Sequence, residues 1–253
     1  MKMCCALYRG SLAFRNRASA NKNFIPFGNA EFTLNQEEAE VTQENFESLG
    51  GSACKVVYIN SVTLDITAHC LKAENIAMAV LGTLSVLTPD TVTDEEHTVH
   101  GVDVIIPFEN VPDKAQAITV KDEAGTTTYV LGEDYILTNS GIKIIEGTSI
   151  AVDGSVIKVG YTYGANVVID ALTMGQQEFE VIFDGVNVGE AGETPVVIRF
   201  PKVKVSPAAA LPLIAGQEFT SLEMTGEVLR DETITTGSKF YKLTYGEAAG
   251  GTY

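Results

Sequence analysis

The amino-acid sequence predicts an all-β protein, a β-sandwich or barrel with one flanking α-helix and an inserted or additional small β domain. Short runs rich in Val, Ile, Thr, Tyr and Phe recur along the chain and are separated by Gly, Pro or Asn turn signals. A single stretch, LKAENIAMAVLGT, spaces its apolar residues as a helix does. The strand-like runs also fall into two groups, divided by the acidic, Pro-containing stretch LSVLTPDTVTDEEHTVHG.

Taken in order, residues 1–25 lack clean periodicity and read as an extended N-terminal arm. IPFGNAEFTL then opens a short strand through Phe27, Ala30, Phe32 and Leu34, with a turn at Gly28 and Asn29. The stretch from Gln36 to Ser52 is acidic, has no Lys or Arg, and ends in Gly50-Gly51, which fits a long loop or an extended hairpin arm. CKVVYINSVTLDITAHCL alternates and reads as a strand pair or one long bent strand. In the helical stretch Leu71, Ile76, Ala77, Ala79, Val80 and Leu81 fall at helical spacing, and Gly82 supplies the stop. Residues 84–101 read as a linker. VDVIIPF, AITVKD, TTYVLGEDYIL, GIKII and SVIKVGYTYG make a small β unit over 99–165, inserted in a larger one over 26–98 and 166–253. In EFEVIFDG, Glu178 and Glu180 alternate with Phe179, Val181 and Phe183, which predicts one acidic and one apolar face.

Charge excludes one class of function. With 17 Lys+Arg against 33 Asp+Glu, the formal net charge is -16. Sequence-independent nucleic-acid binding needs a surplus of cations, and this chain has the reverse. The first 30 residues carry five basic side chains (Lys2, Arg9, Arg15, Arg17, Lys22) and no acid. A basic arm on an acidic body favours head-to-tail association of copies, and a solvated, loose terminus is the plainer alternative. Four cysteines with no C-x-x-C spacing do not make a disulfide scaffold. Arg9, Arg15 and Arg17 interrupt any apolar run near the N-terminus, and no stretch reaches the roughly 18 apolar residues of a span, so neither a secretion signal nor a membrane partner is expected.

Chemistry-bearing motifs are scarce. No Gly-rich turn ends in Lys-Ser or Lys-Thr, and GVNVGEAGE carries Glu190 and Glu193, which repel phosphate and fit a surface loop. His97 and His100 with Glu95 and Glu96 offer ligand types, but residues three apart on a strand point to opposite faces and no third ligand follows. His69 and Cys70 are adjacent and would face opposite sides of one strand, so Cys54 and Cys70 each read as a buried structural cysteine. No metal site, no cofactor and no nucleophile-base pair emerges, and the expectation is a protein that is not an enzyme. A hydrolase built on a carboxylate pair would need two acids converging in a cleft.

Taken together, the basic arm, FGNAEFTLNQEEAEV, the acidic loop, VTLDITAHCL, KAENIAMAVLGT and the all-β remainder resemble the tail tube proteins of long-tailed bacteriophages. LGEDYILTNSGIKIIEGTSIAVDGSVIKVGYTY is similar to an element of that family, and the resemblance covers about Phe24 to Tyr245. It implies a tail-tube β-sandwich or barrel, self-assembling into stacked hexameric rings whose acidic lumen conducts double-stranded DNA into the host. It also implies a place in the virion tail after assembly in the host cytoplasm, with the tape measure and tail terminator proteins as partners. The small domain over 99–165 departs from simpler members and is expected on the outside of the tube. An acidic channel wall offers the DNA backbone no sticking points. Glu31, Glu37, Glu38, Glu40, Glu178 and Glu180 are the candidate lumen residues, with a solvated outer face as the other reading of each. Arg9, Arg15 and Arg17, with Glu44, Glu47, Gly50 and Gly51 of the acidic loop, are the candidate inter-ring contacts. The competing expectation is a two-domain, immunoglobulin-like adhesion module on a virion or cell surface, which predicts a stable monomer.

Overall fold

The computed structural model describes residues 6–20, 23–44, 52–150, 152–189, 193–213 and 219–246. Among them are seventeen strands and one short helix, α1 (Ala73–Ala79). The protein is all-β, and its chain divides into two compact units, Met1–Leu84 with Ile169–Tyr253, and Ser85–Val168.

In the first unit, β1 (Tyr8–Asn16), β2 (Ile25–Gly28), β3 (Ala30–Glu44), β4 (Ser52–Ala68), β14 (Glu178–Asn187), β15 (Thr194–Val205), β16 (Leu222–Val228) and β17 (Lys242–Tyr245) form one antiparallel sheet. Its order is β2-β1-β14-β15-β16-β4-β3, with β17 also on β15. The sheet divides at β15, where Val196–Arg199 pair with β17 and Val203–Val205 pair with β16. Two β15 residues, Pro201 and Lys202, stand against Glu180 alone, because the register steps from Phe179–Val203 to Val181–Phe200. Such a bulge tolerates a proline and bends the strand. The two layers enclose one core, with Phe27, Leu64, Val181, Phe200, Val203 and Leu222 almost wholly removed from water. Phe14 meets Phe27 at 4.9 Å between ring centroids, and Phe32 meets Phe183 at 5.2 Å.

The predicted N-terminal arm over 1–25 is corrected in part. Tyr8–Asn16 is a nine-residue strand paired with β14, and Leu12 and Phe14 enter the core. Arginines on the opposite face masked this alternation. Of the expected acidic stretch, residues 36–44 are paired with β4 as the hairpin alternative requires, and residues 45–51 lie outside the described residues. The helix is shorter than the predicted stretch. Asn75 is buried and donates its amide to Phe27 O (2.7 Å) and Cys70 O (3.0 Å), which fixes α1 over β2. Gly82 closes α1 by donating its N–H to Ala77 O at 2.7 Å, where a Cβ would strike Asp170 O.

The chain leaves the first unit through β5 (Thr83–Leu87) and returns through β13 (Asn166–Asp170), two strands that pair with each other. The second unit begins at Ser85, ahead of the predicted 99. The supposed linker contains β6 (Asp90–Thr98), which pairs with β12 (Val156–Tyr163). The β6 register skips two residues between Val92 and Glu95, with Asp94 at a φ of 56°, so period-2 alternation is broken in the sequence although the strand is formed. Together with β8 (Thr119–Asp122) and β9 (Thr128–Tyr129), these form a four-stranded sheet. A three-stranded sheet is made by β7 (Ile105–Pro107), β10 (Tyr135–Leu137) and β11 (Gly141–Ile144). This unit has its own core, in which Val99, Val120, Ile142, Val159 and Tyr161 are fully buried.

Candidate assembly surfaces

The outer face of β3, β4 and β16 is acidic and carries no Lys or Arg. Register places Glu31, Thr67 and Glu223 in one row, Thr33, Asp65 and Thr225 in the next, and Asn35, Thr63 and Glu227 in a third. Glu37 stands beside Ser61 and accepts its hydroxyl at 3.0 Å. Each acid therefore has a hydroxyl or amide residue on the neighbouring strand, which avoids the cost of like charges directly opposite. Asp65 accepts from Asn35 Nδ2 at 2.6 Å and from Thr225 Oγ1 at 3.4 Å. Glu31 and Glu223 are two strand spacings apart, roughly 9.5 Å, about one Debye length in physiological salt, so their repulsion is largely screened. His69 Nε2 lies 3.4 Å from Glu31, and the first cation along the sheet is Lys204 of β15, opposite Glu227.

Only some of the predicted lumen residues share this wall. Glu31 and Glu37 do. Glu38 and Glu40 point to the other side of β3, and Lys55 pairs with Glu40 at 2.5 Å. Glu178 and Glu180 do not form the bare acidic face expected of them. Glu180 is ion-paired with Arg15, its cross-strand neighbour, and Glu178 is held by Lys202 at 2.9 Å and Arg17 at 4.0 Å. Asp65, Glu223 and Glu227 also belong to the wall and are not among the sequence candidates, although LEMTGEV and VTLDITA alternate cleanly enough to place them.

The predicted inter-ring contacts separate in the same way. Arg15 and Arg17 are used inside the chain: Arg17 reaches Asp231 at 2.7 Å and also bonds Pro201 O. Burial pushes the Asp231 carboxyl up, but hydrogen bonds from Thr233 and Arg17 outweigh it and hold the group down at about 2. Arg9 is exposed and has no carboxylate partner among the described residues. Glu44 ends β3, while Glu47, Gly50 and Gly51 lie outside the described residues.

Beyond Asn60 the β3–β4 hairpin continues as a ribbon without a third strand among the described residues. Asn60 is an extra residue in β4, since Glu37 pairs with Ser61 and Glu38 with Ile59. One ribbon face carries Ala39, Val41 and Gln43 beside Tyr58, Val56 and Cys54, and no charge. The other carries Glu38, Glu40 and Thr42 beside Ile59, Val57 and Lys55. Val41, Val56, Val57, Tyr58 and Ile59 are each 49–61% exposed, so apolar surface is open on both faces. Exposed apolar surface concentrated in this way marks an interaction site.

A cleft of about 740 Å³ opens elsewhere in the first unit, between edge strand β3 and the layer of β1, β14, β15 and β17. Phe32 lines one wall, and Tyr8, Phe183, Ile198, Tyr241 and Leu243 line the other. Tyr8 and Tyr245 share a hydroxyl–hydroxyl bond of 2.9 Å, which together with burial pushes the Tyr245 hydroxyl up. The Phe183 ring lies over the paired Gly10 and Gly185, where any Cβ would collide with it.

In the second unit His97 Nε2 contacts Glu95 at 2.8 Å, and Glu95 also accepts the Tyr161 hydroxyl at 2.7 Å. Burial and that bond push Tyr161 up to about 12. Among the described residues no three His, Cys, Asp or Glu side chains gather at metal-ligand spacing. No helix formed by the described residues is long and apolar enough to cross a membrane.

Fold and surfaces together define a two-unit, all-β protein with an acidic sheet face, a projecting apolar ribbon and an open cleft. The chain belongs to the family described as protein of unknown function UCP028589, whose model matches residues 6–244. No curated protein matches the chain.

Proposed function

We propose that the protein is the structural subunit of a bacteriophage tail tube, assembling into stacked hexameric rings whose acidic lumen passes double-stranded DNA into the host. The observation that carries this reading is the cation-free wall of β3, β4 and β16, with Glu31, Glu37, Asp65, Glu223 and Glu227 on one side and the core on the other. DNA presents a negative charge about every 1.7 Å of its axis, and a wall of this kind repels it along its whole length. The apolar ribbon supports the self-assembly half of the reading, because a monomer leaves it in water. On this reading the tape measure and tail terminator proteins meet the tube at its interior and its end, and the subunit functions without catalysis, in the virion tail.

Electron microscopy of the purified protein across a concentration series tests the proposal. Rings or tubes with a central channel are expected, and a persistent monomer at high concentration overturns it. Glu37 and Glu223 are exposed and lie outside the cleft, so the double change to Lys leaves the fold intact. Tubes of the double variant are expected to retain duplex DNA in low salt, while wild-type tubes do not. Equal retention would remove the wall from the lumen. The second unit, with a core of its own, favours the adhesion-module reading. That reading predicts the stable monomer just named as the contrary outcome.

A further inference from the structure

The ribbon and the cleft are the two apolar surfaces that the first unit leaves open. A two-stranded ribbon with apolar side chains on both faces is not covered by a flat surface; it needs a slot with two walls. The cleft between β3 and the β1, β14, β15 and β17 layer is such a slot, and its lining is aromatic and aliphatic apart from Arg9, Glu31 and a few polar groups. A charge pair is available as well. Glu38 on the ribbon has no cation partner and Arg9 at the cleft has no carboxylate partner among the described residues. At about 740 Å³ the cleft lies within the range that holds an aromatic anchor with its neighbours, and Tyr58 flanked by Val41 and Val56 is that anchor.

We infer that the ribbon of one copy, Glu38–Glu44 with Ser52–Ile59, inserts into the β3/β17 cleft of a second copy of this chain, with Glu38 meeting Arg9. Because ribbon and cleft are different surfaces, the contact is heterologous. Each copy then offers one free ribbon and one free cleft, and association continues until a ring closes or a filament forms. This rests on the tube reading and adds to it the surface that receives the ribbon.

Two exposed substitutions test it. Val56→Asp disables the ribbon and leaves the cleft; Leu243→Asp disables the cleft and leaves the ribbon. Each variant alone is expected to need on the order of thirtyfold or more higher concentration to assemble, as loss of an interface anchor implies. An equimolar mixture is expected to stop at a species of twice the protomer mass in analytical ultracentrifugation, since one good ribbon and one good cleft remain. Arg9→Glu with Glu38→Arg is expected to assemble better than either change alone. A Leu243→Asp protein that assembles like wild type gives the cleft to another occupant and overturns the inference, while wild-type tubes leave the tube reading standing. A mixture that stays monomeric, with both variants melting like wild type, also overturns it. Wild-type protein that never assembles overturns the tube reading itself.

Discussion

Arg17 follows β1 and clamps the segment after β16, because its guanidinium meets the nearly buried Asp231 and the bulged carbonyl of Pro201. Asp231 titrates at about 2 in the folded chain, below the ordinary aspartate near 4. The stability this depression contributes is complete above about pH 4 and is lost as pH falls towards 2. Removing the guanidinium leaves a nearly buried carboxylate short of a donor, so Arg17→Ala is expected to cost about 1–3 kcal/mol. It should also move acid unfolding, followed by circular dichroism, to higher pH. An unchanged acid midpoint would mean that the clamp is not made in solution. The sequence points Arg17 to a contact between rings because a basic, acid-free N-terminal stretch has no visible partner along the chain. Its partner lies 214 residues away.

At the scale of the element, β1 is held to β14 by a close approach that only glycine permits. A Cβ on Gly10 would stand 2.4 Å from Asp184 O and 2.8 Å from the Phe183 ring. Gly10→Ala is therefore expected to destabilise the first unit by about 1–3 kcal/mol, the usual cost of overpacking, and thermal melting reads it directly. A melting temperature equal to wild type would show that β1 shifts to make room. Much of the architecture was legible along the chain. LEMTGEV alternates strictly and is a strand buried on one face, and AENIAMA is the helix. The supposed linker has a clear physical cause: Thr93 and Asp94 in β6 are bulge residues, and a bulge shifts the phase of alternation, so a formed strand reads as a linker. The ion pairs of Glu178 and Glu180 escape the sequence for a different reason. Their alternation was correct, but the cations beside them come from other strands, and only pairing brings those together.

For the whole molecule, a formal charge of -16 sets copies against one another unless the contact surfaces are neutral or matched. The chain meets that condition by segregation. Acids crowd one sheet face, while the ribbon keeps one face uncharged and the cleft has two charged side chains. Repulsion then restricts the ways in which two copies meet.

Asn60 gives that arrangement its geometry. As the unpaired residue of β4, it bends the hairpin where the three-stranded wall gives way to the two-stranded ribbon. Deleting it leaves Glu38 opposite Ile59 and Glu37 opposite Ser61, so every side chain keeps its face and its chemistry. What changes is the angle of departure, and in a polymer that angle recurs at each subunit. Tubes of the deletion protein are expected to keep their wild-type affinity between copies but to differ in diameter or pitch in electron micrographs. One backbone residue, without a partner in the β3 ladder, would then act as the caliper of the assembly.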